Sequence, residues 1–285
     1  MTEIDELLTS LNLLQTGTTR FEGSHPPGRA TRVFGGQILA QALRAAALTV
    51  DGRLPHSLHL YFLRPAHTHR PLSFEVEVVR DGRSFSARQV TVSQDNRELS
   101  TILLLFSAPR TPPHPAPRRE TSVSPPESLP STPERLAGYS DEYDGWWVRR
   151  RPIELRPVGL TPREALDSGN LDIGDAGQEA WLRADGALPM DPILHACVLA
   201  YASDMTLLEP LLVQRKTNPL GPGSIASLDH ALWFHQIPNL NEWHLYVKEV
   251  TAEIASGGLC SGRFYTSDGI LVASTRQEGY LTEPR

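Results

Sequence analysis

The feature that most constrains this chain is that it reads the same way twice. An apolar helical stretch, Gln37 to Val50, follows Gly35-Gly36. Four strand-like segments come after it: His56–Arg64, Leu72–Arg80, Ser84–Ser93 and Leu99–Ala108. A second helical stretch, Pro192 to Leu208, is followed by Ser224–His235, Glu242–Glu253, Leu259–Tyr265 and Ile270–Tyr280. Setting Ser57-Leu58 on Ser227-Leu228 gives an offset of 170 residues, and later elements drift from it by only a few. Asp81-Gly82, Ser256-Gly257-Gly258 and Asp268-Gly269 supply hairpin chemistry between strands. A period this long means two copies of one domain, not a solenoid. The expected class is α+β, each copy a long helix wrapped by an antiparallel sheet of about four strands.

Pro109 to Pro133 holds nine of the 24 prolines. Proline removes a backbone donor and biases its predecessor away from helix, so a semi-extended linker is expected there. The resulting division is 1–108, a linker over 109–139, and 140–285. The 285 residues suit two domains of about 100–150 residues each. A net charge of −6 disfavours a general nucleic-acid binder. Of the 27 basic residues only Lys216 and Lys248 are lysine, so arginine richness is compositional and says nothing of phosphate recognition. Clean apolar runs such as Ile102 to Phe106 are short, far below the roughly 18 residues a membrane span needs. Met1 to Leu14 is acidic and amphipathic, unlike a signal peptide, and Thr282 to Arg285 carries no peroxisomal tripeptide. Cys197 and Cys260 make no disulfide framework or metal spacing, and a reduced cytoplasmic setting is expected.

Ile193, Cys197, Tyr201, Asp204 and Leu208 fall on one helical stripe, which puts Asp204 on a face that should be buried. A buried carboxylate must find donors or raise its pKa. From position alone, catalytic base and structural cap are equally good readings of Asp204. Ser227 lies on a strand whose residues 225, 227, 229, 231 and 233 share a face under strict alternation. Its hydroxyl could orient a water, act as a nucleophile or do neither. Gln277 shares a face with Leu271 and Ala273; a neutral amide there is a satisfied core group or a holder of water or carbonyl. The first copy lacks this set: Phe34 to Val50 has no Asp or Glu, Leu105 stands opposite Gln277, and only Ser57 keeps its hydroxyl. One site per chain follows. Gly35-Gly36 could present N–H groups to a developing oxyanion at a helix N-terminus, or simply allow a tight turn. His56 and Ser57 point to opposite strand faces, against a dyad, and His230 and His235 also face apart. No H-E-x-x-H, Cys/His cluster, P-loop or G-x-S-x-G occurs. Gly221-Pro222-Gly223-Ser224-Ile225-Ala226 leads into a strand and not a helix, so it is no dinucleotide fingerprint. Neither metal nor cofactor is expected.

These stretches carry a resemblance. Val33-Phe34-Gly35-Gly36-Gln37, the run His56 to Pro65 and the run Asp81 to Arg88 match in the first half. Arg151-Pro152, Tyr201-Ala202-Ser203-Asp204, Asp229-His230, Trp233-Phe234-His235, the run Asn239 to Trp243 and the run Val272 to Gly279 match in the second. The chain resembles the acyl-CoA thioesterase II family of double hotdog proteins over nearly its whole length. The resemblance implies two tandem hotdog domains and hydrolysis of fatty acyl-CoA to free acid and CoA. It implies a catalytic set of Asp204, Ser227 and Gln277, with Ser227 where many relatives have Thr. It also implies acyl-CoA as the bound partner and a homo-oligomer, dimer or tetramer. Direct water attack is favoured over an acyl-enzyme, because alternation leaves Ser227 without a His on its own face. Arg64, Arg83 and Arg88 could meet CoA phosphates or be strand-end charges. Two other readings are a hotdog hydratase or dehydratase using His195 or His230, and a non-catalytic acyl-CoA-binding protein.

Overall fold

A computed structural model describes residues 1–25, 31–109, 118–120, 123–169, 178–216 and 225–281. Gly221 to Ser224, most of Pro109 to Pro117, and Thr282 to Arg285 lie outside the described residues. The first half runs α1 (Glu3–Ser10), β1 (Leu14–Gln15), β2 (Arg20–Gly23), α2 (Gly35–Ala47), β3 (Leu54–Phe62), β4 (Leu72–Asp81), β5 (Phe85–Gln94) and β6 (Arg97–Ser107). The second runs α3 (Thr132–Arg135), β7 (Ile153–Pro157), α4 (Pro162–Ser168), β8 (Gln178–Ala184), α5 (Pro192–Ser203) and α6 (Glu209–Gln214). It closes with β9 (Ile225–Ser227), β10 (Asp229–Phe234), β11 (His244–Ile254), β12 (Gly257–Thr266) and β13 (Leu271–Leu281).

All strands join one antiparallel sheet in the order β1-β2-β4-β5-β6-β3-β10-β13-β12-β11-β8-β7, with β9 also on β13. The halves meet at its centre, where β3 and β10 pair through His59 and Ala231. Each copy therefore has two strands before its long helix; four strands follow α2 and five follow α5, β9 and β10 being separated only by Leu228. The strand before each helix, β2 or β8, lies on the far side of its copy and was not expected from the sequence. β2 is only four residues and β8 follows residues outside the description, so neither gives a long alternating run.

The two long helices pack on each other inside the curl of the sheet. α5 is apolar all round, which is what a helix enclosed on every side requires. It begins at Pro192, with Asp191 Oδ1 accepting from the N–H groups of Ile193 and Leu194. It ends at Ser203, five residues before the expected limit. Leu208 instead precedes α6 and does not extend the stripe of Asp204. α1, which the sequence marked only as acidic and amphipathic, is closed by a Thr2–Asp5 capping box. It is tied to α2 by Gln37 Nε2 on Ser10 Oγ and Gln41 Nε2 on Ser10 O.

Part of the expected linker is not extended. Thr132–Arg135 is a capped helical turn, with Ser131 and Glu134 forming the box. Arg156 anchors the preceding turn through Pro126 O and Leu129 O. Among the described residues no helix is long and apolar enough to cross a membrane.

Candidate active site

The residue after α5, Asp204, turns its side chain into the space between the two helices and the sheet, where it is 5% exposed. Two neighbours donate to it. Gln277, fully buried on β13, donates Nε2 to Asp204 Oδ1 at 2.6 Å. The Gly36 N–H donates to the same carboxylate from the first turn of α2. Burial outweighs both donors and pushes the Asp204 carboxyl up to about 6. The group is thus mainly ionised at neutral pH, yet basic enough to take a proton. The same Gln277 Nε2 donates to Ser227 Oγ at 2.6 Å, so one amide nitrogen ties carboxylate to hydroxyl.

The glycines allow this approach. A Cβ on Gly35 would stand 2.7 Å from Asp204 Oδ2 and 2.8 Å from the Phe62 ring. A Cβ on Gly36 would stand 2.4 Å from Tyr201 O, a backbone atom that cannot swing away. Gly36 N–H is engaged by Asp204, a role the oxyanion reading did not give it. Gln37 and Ile38 turn their N–H groups back to Phe34 O, and Gly35 N–H has no partner among the described residues. The site therefore joins backbone from the first half to side chains from the second.

Strict alternation fails next to Ser227. β9 and β13 pair with Gly279 opposite Ser227, whereas β10 and β13 pair with Arg276 opposite Ala231, a register one residue different. The extra residue at Leu228 is a bulge. Its N–H and C=O are used by Glu278 O and Phe62 N–H, and Asp229 Oδ1 accepts the Glu278 N–H. Ser227 and His230 consequently both turn inward, against the expectation that 225 to 233 share one face. His230 Nδ1 lies 3.8 Å from Asp204 Oδ1. Its Nε2 meets Ser203 Oγ at 2.9 Å and Thr275 Oγ1 at 3.0 Å. Burial pushes this imidazole down to about 4, so it is neutral. Tyr246, stacked on Phe264, donates its hydroxyl to Ser203 O at 2.8 Å and closes the floor. Ser203 and Thr275 lie in stretches that carry the resemblance but had no role assigned to them, and Tyr246 lies outside those stretches. His230 was singled out, but period-two reasoning turned it away.

Other candidates lie elsewhere. Arg88 is buried and paired with Asp81 at 2.9 Å, which removes it from phosphate contact. Arg64 Nη1 holds Glu98 O. His195 Nδ1 accepts the Leu240 N–H at 3.0 Å and is a core group. His56 and His59 rest on Phe85 and Trp233.

A family model described as acyl-CoA thioesterase matches residues 169–280, and one described as acyl-CoA thioesterase N-terminal domain matches 23–107. The chain is 30% identical to acyl-CoA thioesterase 2 of Haemophilus influenzae, over 98% of this chain and 97% of that one. It is 32% identical to human acyl-coenzyme A thioesterase 8, over 96% and 88%. Among solved structures it is similar to the TesB protein of Mycobacterium avium subsp. paratuberculosis (TM-score 0.81, 33% identity, 98% and 99% covered). It is similar also to the acyl-CoA thioesterase II TesB2 of Mycobacterium marinum (TM-score 0.78, 31% identity, 99% and 98% covered).

Proposed function

The chain belongs to the acyl-CoA thioesterase family and hydrolyses acyl-CoA thioesters, and on that premise we propose that Asp204, Ser227 and Gln277 carry the reaction by direct attack of water. The observation that supports it is the single Gln277 nitrogen 2.6 Å from both Asp204 Oδ1 and Ser227 Oγ. A water seated between carboxylate and hydroxyl gives its proton to Asp204 as its oxygen bonds to the thioester carbon. The carbonyl π pair moves to oxygen, to which Gly35 N–H at the positive end of α2 donates. Collapse re-forms the carbonyl and breaks the C–S bond. The departing sulfur takes the proton back from Asp204, leaving free acid and CoA. A thiolate is a better leaving group than an amine, so the step demands neither metal nor strong acid.

His230, the imidazole nearest the set, is held at Nε2 by two hydroxyls and kept neutral. It does not supply Ser227 with a base, which favours water attack over an acyl-enzyme. The hydratase reading loses His195 to the backbone of Leu240. We infer further that the substrates are fatty acyl-CoAs, that the setting is cytoplasmic, and that the protein is a homo-oligomer, dimer or tetramer. Two free, buried cysteines fit a reducing compartment. Exposed Tyr61 and Leu103 on adjacent central strands fit an assembly face. Light scattering that reads a monomer at working concentration removes the last inference.

The test is free-thiol release from a panel of acyl-CoAs, with wild type beside Asp204→Asn and Gln277→Ala. Activity on fatty acyl-CoAs that falls steeply in both variants supports the assignment. Undiminished turnover by Asp204→Asn, or an acyl group trapped on Ser227, overturns it.

A further inference from the structure

His230 is the buried group under the site that the steps above leave unused. Its surroundings contain two polar atoms closed into no hydrogen bond: His230 Nδ1 and Gln277 Oε1. Gln277 spends its nitrogen on Asp204 and Ser227, and its side chain adjoins the imidazole. The proton inventory on the other side of the ring decides what joins them. Ser203 Oγ reaches Ala200 O at 2.9 Å as well as His230 Nε2, and Thr275 Oγ1 reaches Ala231 O at 2.8 Å as well as Nε2. If both hydroxyls give their protons to those carbonyls, Nε2 must carry the ring proton. Nδ1 and Oε1 are then two bare acceptors, both buried and each without a donor. If one hydroxyl turns its proton to Nε2, Nδ1 carries the ring proton and can donate it to Oε1. Both orphans are then closed, for the loss of one hydroxyl–carbonyl bond.

We propose that His230 is a positioning residue: a neutral imidazole, protonated on Nδ1, that donates to Gln277 Oε1 and fixes which way round the Gln277 amide sits. This rests on the reading of Asp204, Ser227 and Gln277 as the hydrolytic set. Its consequence is a fixed polarity through three residues. With Oε1 held by the ring, both Nε2 protons face Asp204 and Ser227. Ser227 Oγ then accepts from the amide, and its own proton is left to point at the water or the tetrahedral oxygen. An amide turned over would set Oε1 against the Asp204 carboxylate and draw the Ser227 proton onto itself. The loss would appear in turnover and not in substrate binding.

The ring proton can be read directly on the full chain. Long-range proton–nitrogen correlations of the ¹⁵N-histidine protein at pH 7, with His230 assigned by its absence in His230→Asn, are expected to show the Nδ1–H form. A proton on Nε2, or on both nitrogens, overturns the proposal. Kinetics on acyl-CoA hydrolysis test the role. His230→Asn sets an amide N–H where Nδ1–H stood, and His230→Gln sets one where Nε2 stood. His230→Asn is expected to keep kcat within about threefold, whereas His230→Gln loses on the order of 10–100-fold in kcat with KM unchanged. Equal losses, or the reverse order, overturn it. If His230→Asn fails to fold, His230→Gln supplies the assignment and the wild-type tautomer alone decides. Asp204→Asn is run in parallel. If it keeps wild-type turnover, the hydrolytic reading fails and takes this inference with it. If it loses turnover while the ring proton sits on Nε2, only this inference falls.

Discussion

Leu48 and Asp204 occupy the same place in the two copies, the residue closing the long helix, with nearly the same backbone (φ −66°, ψ −12° and φ −89°, ψ −14°). Leu48 is half exposed and Asp204 is enclosed. The polar groups past the first helix are satisfied by a cation: buried Arg88 donates Nη2 to Thr49 O, Nε to Thr49 Oγ1 and Nη1 to Asp81, each at 2.9 Å. The second copy puts a carboxylate past its helix and gives it a neutral amide and a backbone N–H instead of a cation. One fold thus closes a helix end for stability in one half and keeps a poised base in the other. Unmatched burial of charge is the mark that separates them.

The strongest way to break that contrast is Asp204→Asn. Loss of a general base predicts a kcat lower by about 10²–10⁴-fold in thiol release. Stability moves the other way. A carboxyl raised from 3.8 to about 6 contributes stability that is full below about pH 4 and lost as pH rises through 6. The neutral Asn escapes that cost at pH 7, by roughly 2–3 kcal/mol at most, since its Nδ2 cannot accept from Gly36. Urea unfolding at pH 7 and pH 4 measures the difference. An Asn variant that is less stable at pH 7 would make Asp204 a structural cap. Arg88→Met is the mirror experiment. It strips Thr49 O and Oγ1 of charged donors and should cost about 2–3 kcal/mol in unfolding while kcat/KM stays at the wild-type value.

Much of this contrast could be read before the fold was known. The absence of any acid between Phe34 and Val50, and Leu105 opposite Gln277, already pointed to one copy as the source of the candidate side chains. Asp204 was legible as buried, though not for the reason of a stripe, because α5 is buried on every side. What alternation could not carry was the bulge at Leu228. One inserted residue reverses every inward and outward assignment after it, which is why His230 was turned out of the site it underlies. The β3–β10 join is equally silent, since pairing between copies leaves no local pattern. The tie of α1 to α2 depends on Gln37 and Gln41, amides inside an apolar helix whose partners lie more than twenty residues away.

The acid limb of the pH profile sharpens the same comparison. The groups around Asp204 are out of range: His230 is pushed down to about 4, the Tyr201 hydroxyl up to about 12, and the Tyr246 hydroxyl well above its ordinary value, all by burial. The Asp204 carboxylate must be ionised to act. Log kcat/KM should therefore rise with unit slope up to about pH 6 and stay flat through neutrality, a tenfold change or about 1.4 kcal/mol per unit. A second acid limb in stopped-flow or steady-state data would point to a second site, and the first copy would then need an acid that its helix lacks.

The smallest expected effects separate the two serines that repeat across the copies. Ser57 pairs with Leu105 on β6 and, among the described residues, bridges no amide to a carboxylate, so Ser57→Ala should leave kcat unchanged. Ser227→Ala removes the acceptor of Gln277 Nε2 and the hydroxyl proton beside it. A neutral hydrogen bond of about 0.5–1.5 kcal/mol sets the loss at up to about tenfold. Ser227→Thr keeps the hydroxyl and adds a methyl that stiffens χ1, and a change within about threefold is expected. Side-by-side kcat for the three variants is the measurement. If Ser57→Ala falls as far as Ser227→Ala, the hydroxyl serves the sheet join in both copies and not the water in one.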